Sequence, residues 1–325
     1  MYSKKRTLNT GLSLINKKID LPRDAVIDKL FVKFDGTIKN VNASTDSALT
    51  LGSILNKITD MRIVSDGNTV HYSVKALDLA VLNYYDTQGK TVNPDTAFTA
   101  VKAASTPFSF TLAFDQGDIL AVAKESLELS INVDTVVNAD CSIDTLTGMI
   151  TLQENIFTPS EFSATFGANL EAAAEPKIVA LEKPYSVTQE LSEFFELPTG
   201  TLSRRAFLIS TDAAGVRGNA DPSKIGIIVT TPDRREIYTV DYKTLREINS
   251  RDYLATPIAG VSLIDYGKEI TNDEYGLRGW KFTKGDYQIA TLSANAGKMR
   301  YLSCEYVVNT RTFDQIRAIM EATPN

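Results

Sequence analysis

The chain has 325 residues, enough for about two domains, and its 43% hydrophobic and 23% charged residues are typical of a globular protein. No apolar run approaches the ~18 residues of a membrane-spanning helix, and the two cysteines cannot form a disulfide framework, so a reducing cytoplasm suits the chain. A net charge of −6 argues against a nucleic-acid surface over the whole chain.

The N-terminus is basic, whereas the remainder of the chain is acidic. Residues 1–23 carry a net charge of +5, which leaves −11 for the rest. No secretory signal is predicted, because this segment lacks a continuous apolar core and a cleavage site. We predict a basic arm, residues 1–18, that orders on assembly and meets an anionic surface; a solvated, frayed terminus is the alternative. The contact residues of the arm would be Lys4, Lys5, Arg6, Lys17 and Lys18.

After the arm, the dominant signal along the chain is β. Short runs rich in Val, Ile, Thr, Phe and Tyr are bounded by Gly, Asp, Asn and Pro, which favours a sandwich or barrel. Two of the runs contain turn chemistry, SDGNT (65–69) and TPDRR (231–235), and are predicted hairpins. The predicted strands lie in KLFVKFDGTI (29–38), MRIVSDGNTVHYSV (61–74), PFSFTLAFDQ (107–116), SLELSINVDTVV (126–137), GMITLQENIF (148–157), AFLISTD (206–212), KIGIIVTTPDRREIYTV (224–240), GVSLIDYG (260–267), DYQIATLSA (286–294) and RYLSCEYVVNTR (300–311).

Helical patterns are few. Residues 74–87 and 240–255 each follow a hairpin, and 186–197 has apolar residues at helical spacing, although an irregular strand is the alternative there. At the C-terminus, residues 311–325 predict an amphipathic helix with Ile316, Ile319 and Met320 on one face. Around 164–177 the composition shifts to Ala, Glu, Gly and Pro, so we place a linker at 166–177 between domains at 19–165 and 178–310.

Two stretches of the first half recur in the second half. DLPRDAVIDKLFVKF (20–34) resembles ELPTGTLSRRAFLIS (196–210) at an offset of 176, and residues 61–83 align without gaps to 227–249 at an offset of 166. The second alignment pairs Tyr72 with Tyr238 and Asn83 with Asn249. Two matches in the same order predict two copies of one β-domain; the shorter offset implies about ten residues lost from the second copy, which the first spends on a polar stretch that looks like a loop. Proline suits a strand entrance, so each barrel would begin at Leu21-Pro22 and Leu197-Pro198.

Catalytic and cofactor motifs are missing from the sequence. The single histidine, His71, has an apolar repeat partner, Ile237, and is interpreted as a strand residue. No Cys or His pair has metal-ligand spacing and no nucleotide-binding glycine motif occurs, so no cofactor, metal or catalytic residue is predicted. Asp134, Asp140 and Asp144 are interpreted as a solvated acidic loop, with a weak Ca²⁺ site as the alternative. Trp280 and the tyrosines are assigned to strand packing rather than to a sugar site.

The tandem β-domains, with Leu-Pro opening each first long strand, resemble the double jelly-roll major capsid proteins of the tectivirus–adenovirus lineage. The resemblance covers roughly residues 19–310 and rests on IDLPRDAVIDKLFVKFDGTI, MRIVSDGNTVHYSVKALDL and their second-half echoes. It implies an all-β fold of two tandem eight-stranded jelly rolls with a few short helices. It also implies a non-enzymatic capsid protein of an icosahedral virus, a bacteriophage or a relative, often with an internal membrane.

The same resemblance implies the partners. Three chains would form a homotrimer that is hexagonal in outline, contacting neighbouring capsomers and penton or minor capsid proteins. The chain would assemble in the host cytoplasm and reside in the virion, its arm meeting the internal lipid membrane, with packaged genome as the alternative and no specific nucleic acid bound. Two other classes stay open: a phage tail, baseplate or lectin-like β-sandwich binding protein, and a carbohydrate-active enzyme with a β-sandwich accessory domain.

Overall fold

The computed structural model describes residues 2–157, 161, 174–219, 222–230, 233–269, 279–282 and 287–308. The described residues divide into two compact units. The first contains the residues up to Lys177 together with Val308, and the second runs from Ile178 to Val307.

The first unit is built from strands with two helices between them. Alternation sets the inward faces: in FSFTLAF (108–114), Phe108, Phe110, Leu112 and Phe114 are buried and the residues between them are more exposed. The elements are β1 (Tyr2–Ser13), β2 (Lys17–Asp20), β3 (Val26–Asn40), β4 (Ser47–Thr50), α1 (Leu51–Leu55), β5 (Ile58–Ser65), β6 (Thr69–Val74), α2 (Ala76–Asp86), β7 (Ala97–Ala100), β8 (Ser105–Phe114), a 3₁₀ turn (Ala121–Ala123), β9 (Leu127–Val133) and β10 (Cys141–Ile156).

Eight of these strands form two four-stranded sheets that bury a shared core. One sheet has the order β1-β10-β3-β8, and in the other β2, β9, β5 and β6 are neighbours in that order. Neighbouring strands within both sheets are antiparallel, and β4 and β7 form a separate two-stranded ribbon. The hairpin between β5 and β6 turns at Asp66 and Gly67, whose φ angles are 53° and 75°, the left-handed region that Asp-Gly supplies. This is a jelly roll.

The second unit repeats this arrangement. Its elements are β11 (Ala174–Tyr185, whose first residues belong to the first unit), β12 (Ser192–Glu196), β13 (Leu202–Asp212), β14 (Lys224–Val229), β15 (Arg235–Asp241), α3 (Tyr242–Tyr253), β16 (Val261–Asp265), α4 (Tyr266–Glu269), β17 (Tyr287–Leu292) and β18 (Gly297–Val308). One sheet has the order β11-β18-β13-β16 and the other β12-β17-β14-β15. Strand for strand, these orders match those of the first unit, which confirms the predicted pair of eight-stranded jelly rolls.

The sequence repeat is a structural repeat. Adding 166 to the bounds of β5, β6 and α2 gives positions inside or within two residues of β14, β15 and α3, and adding 176 to the start of β3 gives the start of β13. Pairing follows the same rule, since Phe31 lies opposite Ala113 and Phe207, 176 residues later, lies opposite Leu263. The polar stretch that we expected as a loop contains β4 and α1, which have no counterpart between β13 and β14 among the described residues.

Within the expected arm, residues 1–18, residues 2–13 form β1 and residues 17–18 begin β2 of the first jelly roll, because β10 and β9 supply their hydrogen-bonding partners. The helical interpretation of 186–197 was wrong, since residues 192–196 are β12. The predicted C-terminal helix at 311–325 and most of the predicted linker lie outside the described residues, and residues 174–177 of that linker begin β11.

Candidate functional site

A protein built from open sheets presents strand edges, and these edges are the first candidate surfaces for binding. In each jelly roll one edge is closed by an asparagine from the helix that follows the hairpin. The amide of Asn83 in α2 donates to Ala113 O (2.8 Å) and accepts from Ala113 N (2.7 Å), so it occupies the position of a missing strand beside β8. Asn249 in α3 does the same to Leu263 of β16, with both distances 2.8 Å.

A second edge of the first unit is closed by the beginning of β11. The strand order places β11 next to β6, and the carboxylate of Glu175 accepts from Leu120 N (3.1 Å) and forms an ion pair with Lys124 Nζ (2.6 Å). Both side chains of that ion pair are almost fully buried. His71 of β6 interacts electrostatically with both charges and is 1% exposed. Thus β6 is not available as an edge.

The corresponding edge of the second unit differs. Among the described residues β15 ends its sheet, and its burial pattern contrasts with that of β6. Ile237 stands 166 residues after His71, and its side chain is 45% exposed. In the same way β1 ends its sheet within the described part of the chain, whereas its counterpart β11 lies between β18 and β6. Tyr2, at the start of β1, is 63% exposed.

The five basic residues that the sequence singled out are divided between two sheets. Lys4 and Lys5 lie on β1 and are exposed, whereas Lys17 and Lys18 lie on β2. Lys18 Nζ forms a solvent-exposed ion pair with Glu128 (3.1 Å), which contributes little to stability. Exposed charge on an edge strand also discourages pairing with arbitrary strands.

Arg6 has a different role, because its guanidinium turns onto the protein. It contacts Asp24 Oδ2 at 2.6 Å and Glu154 Oε2 at 3.0 Å, and the Glu154 side chain is fully buried. The hydrogen bond from Arg6 lowers the pKa of Asp24, whereas burial raises the pKa of Glu154 against the attraction of the same guanidinium. Arg6 therefore joins β1 to β10, whereas Lys4 and Lys5 of the same strand are exposed.

The Leu-Pro positions are equivalent in the two units. Leu21 and Leu197 are 3% and 2% exposed, and each backbone N–H donates to the first residue of a neighbouring strand. Leu21 N donates to Leu127 O of β9 (2.9 Å), and Leu197 N donates to Tyr287 O of β17 (3.0 Å). Pro22 and Pro198 follow directly and end the short strands β2 and β12, a few residues before the long strands β3 and β13 begin.

The remaining chemically distinctive residues are engaged in packing and loop structure. His71 Nε2 lies 2.9 Å from Ser65 Oγ, and burial lowers the pKa of His71 while the carboxylate of Glu175 opposes that shift. Trp280 packs against Phe282 and Tyr287, with ring centroids 4.8 and 5.4 Å away. In the part of the chain that the structure describes, no group of three or more His, Cys, Asp or Glu residues is placed to hold a metal ion.

The three aspartates of the predicted acidic loop form hydrogen bonds with polar side chains of other segments. Asp134 contacts Lys57 Nζ (3.1 Å), Asp140 accepts from Asn42 Nδ2 (3.3 Å) and Asp144 accepts from Ser105 Oγ (3.4 Å). A shallow depression of 620 Å³ also lies on the outer face of β2, β9, β5 and β6, where charges of both signs alternate. Among the described helices, none has the length and apolarity required to cross a membrane.

Sequence reasoning paired Asn83 with Asn249 but missed their role. It also missed the buried pair of Lys124 and Glu175 and the two unmatched edges, β1 and β15. The signal for the asparagines was present, since a polar residue shared by two divergent copies has a structural or functional reason. The unpaired edges that β1 and β15 form among the described residues could not be predicted, because a local sequence pattern does not determine the order of strands in a sheet.

Solved structures resemble the whole chain, whereas no model of a known protein family and no curated protein sequence matches it. The major capsid protein of Sulfolobus turreted icosahedral virus aligns with a TM-score of 0.80 at 21% identity, covering 97% of this chain and 99% of that one. The major capsid protein of bacteriophage PM2 aligns with a TM-score of 0.56 at 10% identity, covering 95% and 99%. That of Faustovirus aligns with a TM-score of 0.56 at 9% identity, covering 95% and 90%. The chain therefore has the double jelly-roll fold that these major capsid proteins share.

Proposed function

We propose that this chain is the major capsid protein of an icosahedral virus and that it is a building block of the virion without enzymatic turnover. The observation that carries the proposal is the full-length match to capsid proteins, with a TM-score of 0.80 and 97% and 99% coverage. A match over both jelly rolls leaves no large part of the chain for another activity. The burial of His71 and the packing of the partly buried Trp280 against the core of the second unit support this assignment over a lectin-like or catalytic one.

The functional unit would be a homotrimer. Three chains of two similar units present six similar corners, so a duplicated domain lets one gene product tile a shell with nearly hexagonal symmetry. Repeated contacts between such tiles, and with penton or minor capsid proteins, would use the same surfaces many times. We place the chain in the capsid of a bacteriophage or related virus that encloses a membrane.

Two measurements test this function. Analytical ultracentrifugation of the purified chain should give a mass of three chains, and negative-stain images should show particles with six-cornered outlines. In purified virions the chain should be the most abundant protein band. A strict monomer at high concentration, together with absence from virions or presence only in tail structures, would favour the binding-protein alternative.

We further propose that Lys4 and Lys5, supported by Lys17 and Lys18, face the interior of the shell and meet the headgroups of the internal membrane. The support is the charge distribution, +5 in residues 1–23 against −11 elsewhere, and the exposure of the first two lysines. Arg6 would act by holding β1 in place rather than by touching lipid, because its guanidinium is engaged by Asp24 and Glu154.

A further inference from the structure

The duplicated fold makes one comparison possible that a single jelly roll does not allow. Each of the eight sheet strands of one unit has a counterpart in the other. An edge that is paired in one unit and ends a sheet in the other is therefore a candidate surface for pairing with a strand from another chain. Among the described residues, β11 and β6 are each paired on both sides, whereas their counterparts β1 and β15 each end a sheet.

We propose that the start of β1 from a second copy of this chain binds along the edge of β15, reproducing between copies the pairing that β11 makes with β6 within the first unit. This inference rests on the proposed function, since it assigns the contact that would join copies in the homotrimer. Because β1 and β15 are different edges, the contact is head-to-tail, which closes into a ring when the rotation between copies permits.

The side chains on the two edges fit this contact. The start of β11 covers His71 through Glu175 and Pro176, leaving the histidine 1% exposed. The equivalent position on β15 is Ile237, an apolar side chain that is 45% exposed, and the start of β1 presents Tyr2, which is 63% exposed. Two exposed apolar side chains at matching positions would be buried together by the pairing.

The charges on the two strands are also complementary. Residues 2–5 of β1 include Lys4 and Lys5 and carry a net charge of +2, whereas β15 carries Arg235, Glu236 and Asp241, a net charge of −1. Among the described residues β15 is an edge strand of seven residues with an exposed isoleucine, and such a strand is an aggregation risk unless a partner covers it. Addition of a strand to such an edge supplies main-chain hydrogen bonds for affinity, while side chains such as these select the partner.

Cysteine cross-linking tests the contact directly. Native Cys141 and Cys304 are buried, so new cysteines at exposed positions can be joined selectively by a short bismaleimide. A mixture of the single variants Tyr2→Cys and Ile237→Cys should give a covalent dimer, and the double variant should give a ladder ending at the closed oligomer. The matched control pairs Tyr2→Cys with Val216→Cys, which is 62% exposed and lies away from β15, and should give no dimer.

A second variant tests the energetics without disturbing the fold. Ile237→Lys places a charge on an exposed strand, so the thermal midpoint of the isolated chain should not change, whereas the dissociation constant of the oligomer should rise about tenfold or more. Val216→Lys, at a position that is also exposed, should leave both the thermal midpoint and the dissociation constant unchanged.

The outcomes separate this inference from the proposed function. A wild-type trimer without the Tyr2–Ile237 cross-link, or a cross-link formed only within single chains, would overturn the strand contact and leave the capsid function standing. A trimer whose dissociation constant is unchanged by Ile237→Lys would also overturn the strand contact. A trimer that is lost on deletion of residues 309–325, but not on deletion of residues 2–5, would show that the C-terminal residues of another copy bind the edge of β15 instead. A wild-type chain that is monomeric and absent from virions would instead overturn the proposed function.

Discussion

Asn83 and Asn249 have the same task in the two halves of the chain: each replaces a neighbouring strand with a single side-chain amide. We expect Asn83→Ala to lower the free energy of unfolding of the first unit by about 2–4 kcal/mol, because it leaves the backbone N–H and C=O of Ala113 without the hydrogen bonds that the amide supplies. Asn249→Ala should act alike on Leu263. Hydrogen exchange at Ala113 and Leu263, with urea unfolding, measures both effects.

A control for these variants is Asn132→Ala, since Asn132 is an exposed strand residue whose amide makes only a long, 3.4 Å contact with Asp60. It should change stability by less than about 0.5 kcal/mol. If Asn83→Ala behaves like this control and Ala113 stays protected from exchange, the amide does not seal the edge.

The stability of the first unit should depend on pH through the ionisation of Asp118. Burial raises the pKa of Asp118 from 3.8 to about 6, and the like charge of Asp28 adds to the shift. Because the pKa of Asp118 is higher in the folded state than in the unfolded chain, its protonated carboxyl group contributes stability to the folded state. This contribution is fully present below pH 3.8 and is lost as the pH rises through about 6. Asp118→Asn should therefore stabilise the first unit by about 1–3 kcal/mol at pH 7.5 and change little at pH 4.

Thermal unfolding of both forms between pH 4 and pH 8 checks this expectation. Asp144→Asn is the companion variant, because Asp144 lies on an exposed part of β10. A constant difference between wild type and Asp118→Asn across the pH range would show that the carboxyl group titrates normally.

At the scale of elements, β12 shows why a strand can be mistaken for a helix. Its ladder with β17 shifts register between Glu193 and Phe195, which marks an irregularity of the β-bulge type. Phe194 and Phe195 consequently both pack inward, with ring centroids 4.4 Å apart. A bulge removes the alternation by which strands are recognised, and the two adjacent aromatics then imitate helical spacing.

β1 was missed for another reason. Its sequence, YSKKRTLNTGLS, has little apolar alternation, since an edge strand gains its order from partners rather than from burial. Those partners lie on β10, more than a hundred residues later, where Arg6 finds Glu154. Where copies could be compared, at β5, β6 and α2 against β14, β15 and α3, the sequence predicted the elements closely, because the repeat added information that no local window contains.

β10 passes between β1 and β3 at a place where only glycine fits. A Cβ added to Gly148 would overlap the backbone carbonyl of Lys33 and the side chain of Leu14. Gly148→Ala should therefore lower the free energy of unfolding by about 1–3 kcal/mol, measured by urea unfolding.

Gly218→Ala serves as the comparison, because nothing lies within 4 Å of its added Cβ. It should be neutral or slightly stabilising, since alanine restricts the unfolded chain. Equal effects of the two substitutions would show that the close approach of the three strands at Gly148 is relieved at no cost.

For the whole molecule, the proposed membrane contact predicts a selective effect of charge. Replacing Lys4 and Lys5 with glutamine should weaken binding to vesicles containing anionic lipid by about 2 kcal/mol at low salt, because each basic residue near such a surface contributes about 1 kcal/mol. The difference should shrink as salt shortens the Debye length. Co-sedimentation across a salt series measures it.

The matched variant replaces Lys224 and Lys243, two exposed lysines of the second unit, with the same change in net charge. It should bind as the wild type does. If both double variants weaken binding equally, the chain responds to membranes through its overall charge, and the assignment of the first strand to the inner face fails.

The ten residues by which the copies differ have a practical consequence. The first unit accommodates β4 and α1 between β3 and β5, whereas the described residues between β13 and β14 contain no counterpart of them. This connection therefore tolerates added length while the strands and the helix after it keep their spacing. Lengthening a loop is inexpensive, about 0.6 kcal/mol for each doubling. A guest peptide inserted after Ala214 should leave the oligomer intact and remain accessible to antibody. The same peptide inserted between Asp66 and Gly67, in the tight turn of the hairpin, should disrupt the oligomer. If the chain forms the proposed capsid, every subunit would then carry the guest, and the particle would bind the receptor of the guest peptide with the avidity of a multivalent display scaffold.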